Sequence, residues 1–143
     1  FGVKTGNSVT YWDNGKVREE GNYYSGKRSG PWRAYFSDGK LENEGSFEQG
    51  KRTGHWKQYS PLKSGQEWIV GDYLNDQKEG HWVSYMSDTG KKYEEGDYHN
   101  NKKHGVWIDY LPSNGRVLSR ETFINGKSAG DRQSWSSDGK PLR

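Results

Sequence analysis

A stretch opening at Gly30, GPWRAYFSDGKLENEGSFEQGKRT, recurs with variations along the whole chain. GHW follows at Gly54 and again at Gly80, and GVW at Gly105; a degenerate copy starts at Gly6 and a truncated one at Gly130. The intervals from Gly6 through Gly30, Gly54, Gly80 and Gly105 to Gly130 are 24, 24, 26, 25 and 25 residues. A period of this length marks an array whose single unit cannot bury an apolar face alone and gains stability from its neighbours. The expected organisation is one repeat domain over residues 1–143, with copies at about 6–29, 30–53, 54–79, 80–104 and 105–129 and a truncated copy at 130–143.

Spacing within the copies separates fixed from variable parts. Eight residues after each of the loop glycines Gly15, Gly39, Gly65, Gly90 and Gly115 comes an aromatic: Tyr23, Phe47, Tyr73, Tyr98, Phe123. Three further on stands a turn residue suited to positive φ: Gly26, Gly50, Asp76, Asn101, Gly126. All length variation falls after Tyr35, Tyr59, Tyr85 and Tyr110, so those segments are expected to be surface turns. They carry pairs such as Asp38-Gly39 and Asn114-Gly115, the strongest short hairpin signal. The runs on either side are about six residues long by this reading, rich in aromatic and β-branched residues, and too short for helices. The fold class expected is all-β: an elongated array of stacked antiparallel β-hairpins without substantial helix.

Composition agrees with an aromatic-built fold. Leu, Ile, Val and Phe together number only 20 of 143 residues, but seven Trp and ten Tyr accompany them, and a net charge of +3 gives little self-repulsion. Trp32, Trp56, Trp82 and Trp107 form one column, and Tyr35, Tyr59, Tyr85 and Tyr110 another, each ring expected to pack on its counterpart one repeat away. Trp and Tyr are three apart, so a regular strand places the two columns on opposite faces unless a bulge intervenes. Ser8 and Arg132 take the Trp position in the terminal copies, as caps would.

The pattern Tyr-x3-Gly-Lys, then Glu-Gly-x-Tyr/Phe-x2-Gly-Lys-x2-Gly-x-Trp-x2-Tyr, resembles the bacterial variant of the MORN repeat. It reads YFSDGKLENEGSFEQGKRTGHWKQY from Tyr35 to Tyr59 and YMSDTGKKYEEGDYHNNKKHGVWIDY from Tyr85 to Tyr110. Departures are Val70 for the Glu before Gly, Asp76 and Asn101 for turn glycines, and Arg120-Glu121 for Glu-Gly. The resemblance implies a non-catalytic hairpin sheet that acts as a scaffold for proteins or membrane lipids, and some bacterial members are described as antitoxin-like. Choline-binding repeats share aromatic hairpins of similar length but differ in their Trp-Tyr-Tyr grouping.

Two features stand out as partner-binding candidates. Lys27, Arg28, Lys51, Arg52, Lys78, Lys102, Lys103 and Lys127 follow the fixed turns and are expected to align as a basic ladder along one edge. Such a ladder suits anionic phospholipid or an acidic protein surface, while its plainer role is to keep a sheet edge from pairing with other chains. Trp12, Tyr24, Trp68, Tyr93 and Trp135 lie off the two columns and would offer a stacking surface or simply cover the sheet's second face. A protein partner is favoured, anionic phospholipid is the alternative, nucleic acid is disfavoured, and oligomeric state is open.

No catalytic residue, metal ligand set or cofactor is expected. The chain has no cysteine and four histidines, and lacks a glycine-rich phosphate loop, GxSxG, HExxH or an EF-hand loop. Glu19-Glu20 and Glu94-Glu95 are adjacent, so each pair should point to opposite faces and cannot form an acid–base dyad. Because the chain begins at Phe1 rather than Met, a cell-envelope or secreted setting is expected over a cytoplasmic one, with the compartment itself open.

Overall fold

The structure, a computed structural model, describes residues 3–142, so Phe1, Gly2 and Arg143 of the expected repeat domain lie outside the described residues. The strands are β1 (Gly6–Tyr11), β2 (Val17–Tyr24), β3 (Lys27–Tyr35), β4 (Leu41–Glu48), β5 (Lys51–Tyr59), β6 (Glu67–Leu74) and β7 (Gln77–Tyr85). They continue as β8 (Lys92–His99), β9 (Lys102–Lys103), β10 (Gly105–Tyr110), β11 (Val117–Ile124), β12 (Lys127–Ser128), β13 (Gln133–Trp135) and β14 (Pro141–Leu142). All belong to one open antiparallel sheet in which each strand pairs with the next in sequence, as expected of stacked hairpins. The short β9 and β12 pair with β8 and β11 beside the main path.

Two kinds of turn alternate. On one side, Ser25-Gly26, Gln49-Gly50, Asn75-Asp76, Asn100-Asn101 and Asn125-Gly126 all have φ > 0 at both residues, from 49° to 85°. That is the type I′ signature, whose twist matches the flanking strands. On the other side are the longer loops. In the Trp12–Lys16 and Phe36–Lys40 loops the first residue's amide donates to the last one's carbonyl at 2.8 Å. Asn14 and Asp38 Oδ1 accept the amides of Lys16 and Lys40, a local bond that fixes the turn and accounts for Asx at this position.

Each copy carries a bulge where the register jumps. In the β2–β3 pair Gly21 faces Trp32 while Asn22 faces Ser29, so Gly30 and Pro31 are left out of the ladder. Gly30 there has φ 70°, a region that strains other residues, which is why a glycine opens the repeat.

The sheet is one layer thick, and its core lies on one face. Tyr23, Trp32, Phe47, Trp56, Tyr73, Trp82, Tyr98 and Trp107 form an unbroken edge-to-face series with centroids 5.0–6.0 Å apart and planes 80–90° to each other. This geometry lets the positive edge of one ring meet the negative face of the next, worth about 0.5–1.5 kcal/mol per pair beyond burial. The expectation that each Trp packs on the next Trp is corrected here. One repeat spans two strands, about 9.6 Å, which is too far for two indoles to touch, and the turn-proximal Tyr or Phe fills the gap.

Four glycines make the series fit. Trp32, Trp56, Trp82 and Trp107 lie over Gly21, Gly45, Gly71 and Gly96 on the preceding strand, at the places where the bulges shift the register. A Cβ at any of the four would come within 2.1–2.2 Å of the indole. The Gly of the Glu-Gly motif therefore serves close approach rather than a turn. Each Trp Nε1 donates to a carbonyl ten residues upstream, as Trp32 does to Asn22 at 2.9 Å, so the buried indole N–H is satisfied.

Candidate functional site

Strand alternation splits the expected basic ladder into two rows on opposite faces. Lys27, Lys51, Lys102 and Lys127 form the outer row, exposed at the turn side, with Gln77 in the corresponding place on β7. None of these four has an ion pair among the described residues. Arg28, Arg52, Lys78 and Lys103 form the inner row and lie over the aromatic series. Arg28 Cζ is 4.4 Å from the Trp32 ring, Arg52 Cζ 4.1 Å from Tyr73, and Lys103 Nζ 4.4 Å from Trp107. Their charged heads lie over the rings, so the aromatic face is a striped surface rather than a bare one.

Counter-ions differ along the inner row. Arg28 donates two bonds to Glu19, at 2.7 and 2.9 Å, from the position nine residues before it. Lys103 meets Glu94, again nine before, at 3.6 Å. Arg52 has Asn43 in that place and turns instead to Asp76, whose Oδ1 accepts both its Nε at 2.8 Å and its amide at 2.9 Å. Those bonds hold the Asp76 carboxyl below its ordinary value. Lys78 has Ile69 in that place and no acid within ion-pair distance among the described residues. Burial lowers its pKa, and the Arg52 charge lowers it further.

The five aromatic candidates do not form one patch. Trp12 sits at the first long loop, donating Nε1 to the Tyr35 carbonyl at 3.1 Å beneath the Arg18 guanidinium. Tyr24 is 71% exposed beside a type I′ turn on the face away from Tyr23. Trp68 and Tyr93 are half-buried in β6 and β8, close to the long loops. Trp135 stands four residues before Gly139, as Tyr35 stands before Gly39, so it belongs to the Tyr column rather than off it. Tyr11 before Gly15 is the same case. Tyr23, the aromatic eight residues after Gly15, is the first ring of the aromatic series.

The opposite face is polar and tied together by a Tyr–Glu row. Tyr35, Tyr59 and Tyr110 donate to Glu20, Glu44 and Glu95, each fifteen residues upstream, at 2.5, 2.5 and 3.1 Å. Burial first, then the bond to the carboxylate, raises the pKa of all three tyrosines. Tyr85 would reach Val70, the copy where the Glu is replaced, and the buried Val70 supplies packing instead. Glu95 also meets Lys92 at 2.6 Å; burial pushes its pKa up, but the bonds from Lys92 and Tyr110 outweigh that and hold it low. Adjacent acids do face apart: Glu19 bonds Arg28 on the aromatic side and Glu20 bonds Tyr35 on the other.

Three histidines bridge to acids: His55 to Asp72 at 2.8 Å, His81 to Asp97 at 2.8 Å and Glu95 at 3.2 Å, and His99 to Glu79 at 3.0 Å. Among the described residues no group of three or more His, Asp or Glu is gathered as a metal site. What sequence reasoning missed is the partnership of the aromatic series with the inner cations. The signal was present in the constant nine-residue interval between Tyr23, Phe47, Tyr73 or Tyr98 and the following Trp.

No curated protein matches the chain. The family model described as MORN repeat variant matches residues 4–23 and 28–49. MORN repeats are a non-catalytic repeat type generally associated with binding of proteins or membrane lipids. Those two matches lie in the first copies, and the same hairpin unit continues through the sheet, which supports a MORN-repeat family.

Proposed function

We propose that the chain is a non-enzymatic binding scaffold whose partner is a protein docking on the aromatic face. The observation that carries this reading is the single-layer sheet, in which the inner cations lie over an aromatic series running from β2 to β10. Tyr, Trp and Arg are the side chains that dominate the energetics of protein interfaces, and here they are held in place beforehand by the ladder and the ring contacts. Binding by a sequestering, antitoxin-like route makes the same demands on this face.

The test is capture of partners from the native host with three forms of the protein. The reading expects a partner of micromolar or better affinity that is lost with Arg28→Glu plus Arg52→Glu and kept with Arg33→Gln on the polar face. Absence of any such partner, or equal loss with both variants, defeats it. A second reading, peripheral binding to anionic membranes, is favoured by the unpaired outer row. It expects co-sedimentation with vesicles containing phosphatidylserine, weakened by salt and abolished by charge reversal at Lys27, Lys51, Lys102 and Lys127. Salt-insensitive or absent co-sedimentation removes it.

A further inference from the structure

Among the inner cations, Lys78 is the one whose surroundings are incomplete. Its Nζ lies 4.8 Å from the Trp82 ring centroid and 4.9 Å from that of Tyr98, which strips it of part of its water. In the flanking copies that carry an acid nine residues before the cation, Arg28 has Glu19 and Lys103 has Glu94. Lys78 has Ile69, which packs instead against the cluster of Trp56, Tyr73 and Trp82. A half-desolvated ammonium without a counter-ion is unfavourably solvated, and an anion that arrives there recovers that loss as binding free energy. Burial and then the charge of Arg52 depress the Lys78 pKa, and Glu94, which is not in ion-pair contact with it, offsets them only in part.

We propose that the β6–β8 region of the aromatic face receives a protein segment presenting one Asp or Glu flanked by apolar side chains, with the carboxylate seated on Lys78 and the flanking groups on the partly buried Ile69 and Tyr98. The segment supplies from outside the acid that Glu19 and Glu94 supply from within the chain. This rests on the protein-docking reading above and specifies its partner. A point charge in an apolar frame distinguishes this occupant from a bilayer. The neighbours Arg28, Arg52 and Lys103 already spend their charge on Glu19, Asp76 and Glu94, so a broad anionic plane finds little further positive charge on this face. A single carboxylate needs only one such cation.

The test uses a displayed library of random peptides selected on the full chain at physiological ionic strength. Selected peptides are expected to be enriched in a carboxylate next to Trp, Phe or Leu. Ile69→Glu supplies the internal acid found in the copies of Arg28 and Lys103, so it should keep the fold, checked by Trp fluorescence, and weaken those peptides at least tenfold. Lys78→Met should do the same, whereas Lys27→Gln on the outer row should change affinity less than twofold. Peptides that bind without a carboxylate, or that ignore Ile69→Glu, overturn the proposal; if they still require Arg28 and Arg52, the docking reading itself stands. Peptides indifferent to all these residues, or no peptides at all, defeat both. Phosphatidylserine vesicles that bind in an Ile69→Glu-sensitive way while no peptide does would replace the protein segment by a membrane.

Discussion

The residue that says most about this fold has no side chain. Gly45 lies beneath Trp56, and a methyl there would sit 2.1 Å from an indole carbon, well inside contact distance. In most strands Gly→Ala is mildly favourable, because alanine loses less backbone freedom on folding. Here the added atom must lift Trp56 off the sheet and break its contacts with Phe47 and Tyr73. Gly45→Ala is therefore expected to destabilise by about 3 kcal/mol, the upper part of the overpacking range, read from the urea midpoint by Trp fluorescence. In a Trp56→Leu background the same substitution should cost less than half as much, because the two positions are coupled through one clash. A neutral or stabilising Gly45→Ala would show that the indole is not held where the ring series puts it. The chain contains its own version of this experiment. Where the Trp is replaced by Arg132, the Gly is replaced by Glu121, and the two pair at 3.3 Å.

At the scale of the hairpin, the type I′ turns separate what local chemistry decides from what tertiary contacts decide. Asp76 and Asn101 stand where other copies have glycine, with φ of 68° and 69°. A non-glycine residue there costs about 1 kcal/mol of backbone strain. Asn101 gives back little, since its Oδ1 accepts the Lys78 amide only at 3.4 Å. Asp76 accepts two short bonds from Arg52 and so helps hold that guanidinium over Tyr73. The same replacement should then have opposite signs: Asn101→Gly stabilising by about 0.5–1 kcal/mol and Asp76→Gly destabilising by about 1 kcal/mol, compared by thermal unfolding. Like signs would mean that the Asp76–Arg52 contact contributes nothing to the turn. The turns themselves were legible in the sequence, because Asn-Gly and Gln-Gly dictate their backbone locally. Which rings touch was not, because Phe47 meets Trp56 only through a register that the Gly54 bulge shifts. The two faces of each Lys-Arg pair were legible in principle from strand alternation alone, since neighbours such as Lys27 and Arg28 must point apart.

For the whole molecule, a one-layer sheet leaves even its most buried rings, Trp32 and Trp82, about 4% exposed, and stability is a sum of contacts between neighbouring strands. The repeat period made that architecture readable from sequence; the proposed binding surface was not, because it rests on copies that deviate, such as that of Ile69, rather than on those that agree. Ionisable groups lie on both faces, so pH should act on the array as a whole. Asp76 and Glu95 have pKa values below their ordinary 3.8 and 4.5, so the stability they contribute is present above those values and lost as pH falls through the lower folded ones. Tyr35, Tyr59 and Tyr110 are raised above 10.0, so their contribution is complete below pH 10 and lost as pH rises through the higher folded values. Lys57 and Lys92, raised above 10.5 by Glu67 and Glu95, act in the same direction. Lys78, lowered by burial, opposes them alone. The urea midpoint should therefore be flat between about pH 5 and 9, fall below about pH 4, and fall more steeply above about pH 10. Replacing Tyr35, Tyr59 and Tyr110 with Phe leaves three carboxylates short of a donor and lowers stability at neutral pH. It also removes three of the five tyrosines whose pKa is raised, Tyr73 and Tyr98 remaining, so the alkaline slope should flatten even as the plateau drops. An unchanged slope in the triple variant would assign the alkaline limit to the lysines and the buried Tyr73 and Tyr98 instead of the Tyr–Glu row.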